Sequence, residues 1–229
     1  MAPHVIVSYD DTENDQDALM LGRLFHDIGA ALTLAYVRHA PQANLERELL
    51  AAHEAEQRLE RGTALLGDPY VERHVVMCPS TSEGLARLAD EVAADVITFG
   101  PEYRTPKGRV AAGRSAQALL ENGPAAVALA PAGYAASAGA RDLDTIGVLP
   151  GTADEAAIET AFSLAARHEA RVTQAVAGVD LLVVGSRPQA RPGRVMISSS
   201  AAQAIEQATV PVIAVARDAA LRFETLVSA

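Results

Sequence analysis

No tryptophan, four phenylalanines and five tyrosines leave this 229-residue chain only 4% aromatic. Platforms on which the bases of single-stranded nucleic acid stack need such rings, so that class of binder is excluded. Positive charge is short as well: 19 Lys and Arg against 29 Asp and Glu give a formal charge of −10. Duplex nucleic acid and anionic membrane surfaces attract a basic face, so neither is an expected partner. Cysteine occurs once, as Cys78, which leaves no internal disulfide framework and suits a reducing compartment. No apolar run reaches the ~18 residues that span a bilayer. The opening "MAPHVIVSYDD" has no basic region followed by a long apolar one, so no signal peptide is read there and a cytoplasmic protein is expected.

What is present is an alternation of short β-branched runs and amphipathic stretches. "HVIVSY" (His4 to Tyr9) reads as a strand, and apolar residues at Ala18, Leu21, Phe25 and Ile28 recur at helical spacing until Gly29 stops the helix. "ALTLAYV" (Ala31 to Val37), a charged helix from Asn44 to Leu66 and "VERHVVMC" (Val71 to Cys78) follow. Ser80 with Glu83 three residues on has the capping-box arrangement at the head of the next helix. "DVITFG", a glycine-rich loop, the helix "GRSAQALLEN" and the strand "AAVALAP" close the set. Five strands with intervening helices predict an α/β fold, a doubly wound parallel five-stranded sheet covered on both faces. This unit spans residues 1–131.

The small residues of "PAGYAASAGARD" predict a flexible linker over 132–142. After it the pattern restarts. At an offset of 140, Ile6 aligns with Ile146, Thr12 with Thr152 and Leu24 with Leu164. Further on, "GPEYRTPKGRVAAGRSAQ" aligns with "GSRPQARPGRVMISSSAA" at an offset of 85, sharing Gly100/Gly185, Gly108/Gly193, Arg109/Arg194 and Val110/Val195. The fall of 55 marks a deletion of the counterparts of roughly Arg38 to Val92, so residues 143–217 form a truncated second α/β repeat, with a tail over 218–229. A parallel crossover takes about a dozen residues, and "AGV" is too short for one. The second repeat is therefore expected to hold three parallel strands, with "VTQAV" as a turn or helix extension.

Two marks carry a family resemblance. One is a strand followed by an aspartate and a hydroxyl residue, here "YDDT"; the other is Gly-x-x-Gly-(nine residues)-Gly-Ser/Thr after the fourth strand. Together they resemble the universal stress protein family, over nearly the whole chain and in its tandem arrangement. The resemblance implies a role in stress response without catalysis, and a fourth-strand loop that holds the phosphates of ATP or AMP. Carried over residue by residue, it puts nucleotide contacts at Asp10, Thr12, Val37, Gly100, Gly113, Arg114 and Ser115. Tyr103 stands at the second motif glycine and Arg114 at the Ser/Thr place, with Ser115 one residue late. In the second repeat Pro150, Pro188, Ser198 and Ala177 replace motif residues, so that copy is not expected to bind well. Arg104, Lys107, Arg109 and Arg114 crowd the first loop. They are either phosphate ligands or solvated side chains.

Other readings stay open beside this one: a nucleotide-free dimerisation and interaction module, and an enzyme of the wider adenine-nucleotide hydrolase type. Six scattered histidines lack metal-ligand spacing, and Ser115 lacks the second glycine of a nucleophile elbow. Asp10 and Asp11 suit a magnesium ion or local capping. The family's domains pair through their last strand. Here "AAVALAP" and "VPVIAVA" lack edge-guarding charges, which predicts an intramolecular pseudo-dimer with Val127 and Leu129 near Val212 and Val215. A homodimer of two chains is a further expected assembly. The tail, through Leu221, Phe223 and Leu226, is expected to cover the flank bared by the deletion.

Overall fold

Short runs with apolar side chains on both faces suit strands buried between two helical layers, and the described residues form nine strands of three to eight residues. The computed structural model describes residues 2–137, 143–151 and 154–223. The first half runs β1 (His4–Ser8), α1 (Asp15–Asp27), β2 (Ala31–Arg38), α2 (Leu45–Leu66), β3 (Glu72–Met77), α3 (Thr81–Val92), β4 (Val96–Phe99), α4 (Arg114–Asn122) and β5 (Ala126–Leu129). The second runs β6 (Thr145–Val148), α5 (Glu155–His168), β7 (Arg171–Thr173), β8 (Leu181–Val184), α6 (Ser199–Gln207) and β9 (Val212–Ala214). All nine strands join one sheet in the order β3-β2-β1-β4-β5-β9-β8-β6-β7. Val5, Val7 and Val96 face one layer with Phe25 of α1 and Leu164 of α5; Ile6, Ile97 and Val127 face the other with Leu85 of α3, Leu120 of α4 and Ile205 of α6.

The halves meet where the unguarded edges predicted. β5 and β9 pair antiparallel, Val127 opposite Ala214 and Leu129 opposite Val212, while every other pair is parallel. Val215 lies just beyond β9, its N–H bonded to Val184 O.

The deletion is accommodated differently from the expectation. "RVT" is a strand, β7, pairing with β6 from Thr145–Arg171 to Gly147–Thr173. Residues 174–180 then cross β6 to begin β8. Seven extended residues reach about 23 Å, whereas two strand spacings and a three-residue rise require about 14 Å. A loop this short must lie against the sheet, and Gly147 lets it do so: a Cβ there would run into Ala175 O and stand 3.0 Å from Val179 Cγ1. Strand pairing also corrects the alignment. β1 and β6 align Val5 with Ile146, since both pair with residues 85 apart, Val96 and Leu181. A slip of one residue reverses a strand's faces, and Ile6 and Ile146 indeed face opposite layers. The counterpart of Asp10 is thus Gly151, not Pro150.

The tail and the linker are both built in. Leu221 and Phe223 are buried, Phe223 stacking on Phe25 of α1 at 5.9 Å between ring centroids. Their N–H groups donate to Thr160 Oγ1 (2.9 Å) and Ser163 Oγ (2.7 Å) of α5. They seal the seam between α1 and α5 rather than the bared flank; Leu226 lies outside the described residues. The linker's first part is no loose tether: buried Asp17 accepts the N–H groups of Gly133 (2.8 Å) and Ala135 (2.7 Å). Ser80 makes no capping-box bond; its hydroxyl pairs with that of Ser82 at 2.9 Å. On α2, Asn44 Oδ1 caps Arg47 N–H, and Glu48 holds nearly buried Arg38 through two 2.9 Å bonds.

Candidate functional site

Parallel strands bring their carboxyl ends to one edge, and a crevice opens where the chain winds off to opposite sides. Here that switch lies between β1 and β4. A cleft of about 180 Å³ stands at this point, lined by Asp10, Asp15, Glu102 and Phe99 together with Gly100, Gly113, Arg114 and Ser115. Five of the seven expected contacts therefore share one cleft. Thr12 and Val37 are not on its walls. Thr12 is turned into the β1 loop, where Asp15 Oδ2 accepts its hydroxyl (2.7 Å) and N–H (2.9 Å) as well as the N–H of Asp10 (3.0 Å). Val37 is buried against α3, whose Gly84 allows the close approach.

Each wall has a local cause. Gly100 is needed for space: a Cβ would collide with Asn14 O, and Asn14 Nδ2 donates to Pro101 O at 3.1 Å, stitching the two loops together. Asp10 remains exposed, yet its carboxyl is pushed above the usual range, by loss of water against the cleft wall and then by Asp15. Asp11, at φ +64°, is bound by Arg61 (2.6 Å) and by the Tyr9 hydroxyl (2.9 Å). Its carboxylate is a structural anchor bound by side chains, which is neither the local capping nor the magnesium pairing that the sequence suggested. Among the described residues no cluster of three His, Cys, Asp or Glu has the geometry to hold a metal ion.

Gly113 differs from Gly100, the other glycine of the cleft. Its φ of −68° suits any residue, and a Cβ there would have nothing within 4 Å. It heads α4 with no side-chain cap, leaving the first N–H groups of that helix open. The matching position of the second half is Ser198, whose hydroxyl accepts Ala201 N–H at 3.1 Å and closes the head of α6.

Within the shared Gly-Arg-Val of the two loops, both valines and Arg109 serve the junction between the halves, a role the sequence did not disclose. Val110 N–H donates to Ala208 O (3.1 Å) at the end of α6, and Val195 N–H donates to Gly123 O (3.0 Å) at the end of α4. Gly108 and Gly193 both sit at φ +74°, a conformation natural to glycine. Arg109 reaches across as well, donating to Glu206 O (2.9 Å) and Gln207 O (3.2 Å), where the negative end of α6 favours a cation. Arg104 lies over the exposed Tyr103 ring at 5.2 Å, and neither lines the cleft. Lys107 borders a separate hollow with Gly133 and Tyr134. Of the four crowded cations, Arg114 alone reaches the cleft. A signal was available: the Gly-Arg-Val run persists in the copy that has lost other motif residues.

Fold and site together define a doubly wound α/β protein, doubled within one chain, with a small cleft at the switch point of its first half. The profile of the universal stress protein family matches residues 1–131, and the chain belongs to that family. Its fold resembles that of a universal stress protein from Archaeoglobus fulgidus DSM 4304, at 11% identity and a TM-score of 0.68 over 93% of this chain and 98% of that one. It also resembles a functionally unknown protein from Pseudomonas aeruginosa PAO1, at 12% identity and a TM-score of 0.60 over 95% and 93%. No curated protein matches the sequence. No described helix is long and apolar enough to cross a membrane.

Proposed function

We propose that this chain is a non-catalytic, stress-related binding protein that takes an adenine nucleotide in the cleft of its first half, with residues 143–217 acting as its shortened structural partner. The phosphate sits at the open head of α4, between Gly113 and Ser115, where N–H groups and the helix dipole favour an anion. Gly100, Gly113, Arg114 and Ser115 hold it, and Asp10 borders the sugar. Thr12 and Val37 act behind the wall, by shaping the loop and the strand end. Ser115 has no histidine beside it on the cleft wall, which speaks against a hydrolase.

The observation that carries this reading is Gly113: neither backbone conformation nor packing asks for glycine there, but an approaching anion does. Gly113→Ser tests it. By analogy with Ser198, the new hydroxyl would cap Ala116 N–H, so the stability should hold or rise by the few tenths of a kcal/mol that separate serine from glycine caps. AMP affinity measured by calorimetry should fall. Unchanged affinity would move the phosphate elsewhere. Absence of any nucleotide binding by the wild type would favour the interaction module, which the reciprocal loop bonds between the halves support.

A further inference from the structure

We infer that the cleft selects an adenine nucleotide carrying a single phosphate group over a di- or triphosphate. This rests on the reading above and concerns the same site.

The first ground is charge. Asp10, Asp15 and Glu102 line the cleft, and among the described residues on its walls Arg114 is the sole cation. A polyphosphate would bring several negative charges among three carboxylates. Arg58 and His39 act on Asp10 from off the cleft walls, Arg58 donating to the Tyr36 hydroxyl at 2.7 Å, and the other cations of the loop point elsewhere. Arg109 is held by two carbonyls at the end of α6, Arg104 lies on Tyr103, and Lys107 stands in the hollow beside Gly133. Releasing Arg109 would undo part of the junction between the halves.

The second ground is the supply of N–H donors. Behind Asp10 and Asp15 on the opposite wall the β1 loop carries the N–H groups of Asp10 and Thr12, but the Asp15 carboxylate already occupies both. That wall thus holds an anion of its own and repels another. What remains is the head of α4, wide enough for one phosphate. Size agrees: about 180 Å³ lies below the roughly 300 Å³ at which pockets begin to enclose a drug-sized ligand. The cleft takes a phosphate and part of a ribose, with the base lying towards the rim.

The experiment is calorimetry on the full chain with AMP, ADP and ATP, the last with and without Mg²⁺. AMP should bind about tenfold or more tightly than ATP, the scale of like charges a few ångströms apart near a protein surface. Arg114→Gln should weaken AMP about tenfold, and Glu102→Gln should narrow the gap between AMP and ATP by about threefold, both on the same electrostatic scale. Arg109→Gln should change AMP and ATP affinity by one common factor, because it supports the loop and touches no phosphate; circular-dichroism melts show that each variant is folded. ATP or Mg·ATP binding as well as AMP overturns the selectivity and leaves the nucleotide site standing. A loss confined to ATP in Arg109→Gln also overturns it, by showing that this arginine turns to the phosphates. Failure of every nucleotide to bind overturns site and selectivity together.

Discussion

Phe223→Ala should destabilise the protein by about 3 kcal/mol, although the residue lies far from the cleft and near the end of the chain. Phe223 is 5% exposed and its ring lies 5.9 Å from that of Phe25 at an interplanar angle of 14°. Burying a phenylalanine contributes about 1.5–3 kcal/mol, and a well-placed aromatic pair adds about 0.5–1.5 kcal/mol. Core Phe→Ala changes cost about 3–5 kcal/mol, less where the surroundings relax into the space. A terminal segment can relax more than a central strand, which sets the expectation at the lower end. In a chain of this size each kcal/mol moves the melting temperature by about 2–4 °C, so a fall of about 6–12 °C is expected by circular dichroism. Phe162→Ala is the control: that ring is 59% exposed, and its loss should stay within about 0.5 kcal/mol. Equal effects for the two variants, or a loss below about 1 kcal/mol for Phe223, would refute the claim that the tail seals the seam between α1 and α5.

Gly147→Ala should cost about 1–3 kcal/mol, the range for overpacking, because the new methyl meets the backbone of the 174–180 loop; a variant as stable as the wild type in urea would mean that the loop does not rest on β6. The Arg38–Glu48 pair gives a pH signature. Arg38 and then the N–H of Gln42 hold the Glu48 carboxyl below its usual range. Its contribution is therefore present above the ordinary glutamate value and is lost as pH falls through the folded one. Glu48→Gln should melt below the wild type at pH 7, and the gap should close with acidification; a gap independent of pH would show that the charge does not matter.

Periodicity made the first half legible almost element by element, because strands buried on both faces and helices buried on one differ in period. The β5–β9 junction was legible from the missing charges at those edges. β7 was not, because the length rule for crossovers presumes a helix, and only Gly147 shows that a bare loop suffices. Identity in a one-residue register, Ile6 with Ile146, outweighed the alternation of faces and misplaced the counterpart of Asp10. The motif resemblance named Gly100, Gly113 and Arg114, and these line one cleft. Arg109 was misjudged, since an arginine bound to helix carbonyls and one bound to phosphate look alike in sequence. Asp17 could have been noticed, as a carboxylate adjoining the apolar stripe of α1.

The antiparallel junction at β5 and β9 also changes how the protein responds to dilution. Two separate chains joined through such strands would come apart as their concentration fell, whereas a shared backbone holds the halves at a local concentration of the order of millimolar at any dilution. The melting temperature of the junction should accordingly not depend on protein concentration, as it would for separate subunits. A covalent pair is also released from symmetry. A substitution in one copy is not imposed on the other, so Ser198 can close one helix head while Gly113 leaves its counterpart open, an asymmetry that a single repeated subunit could not encode.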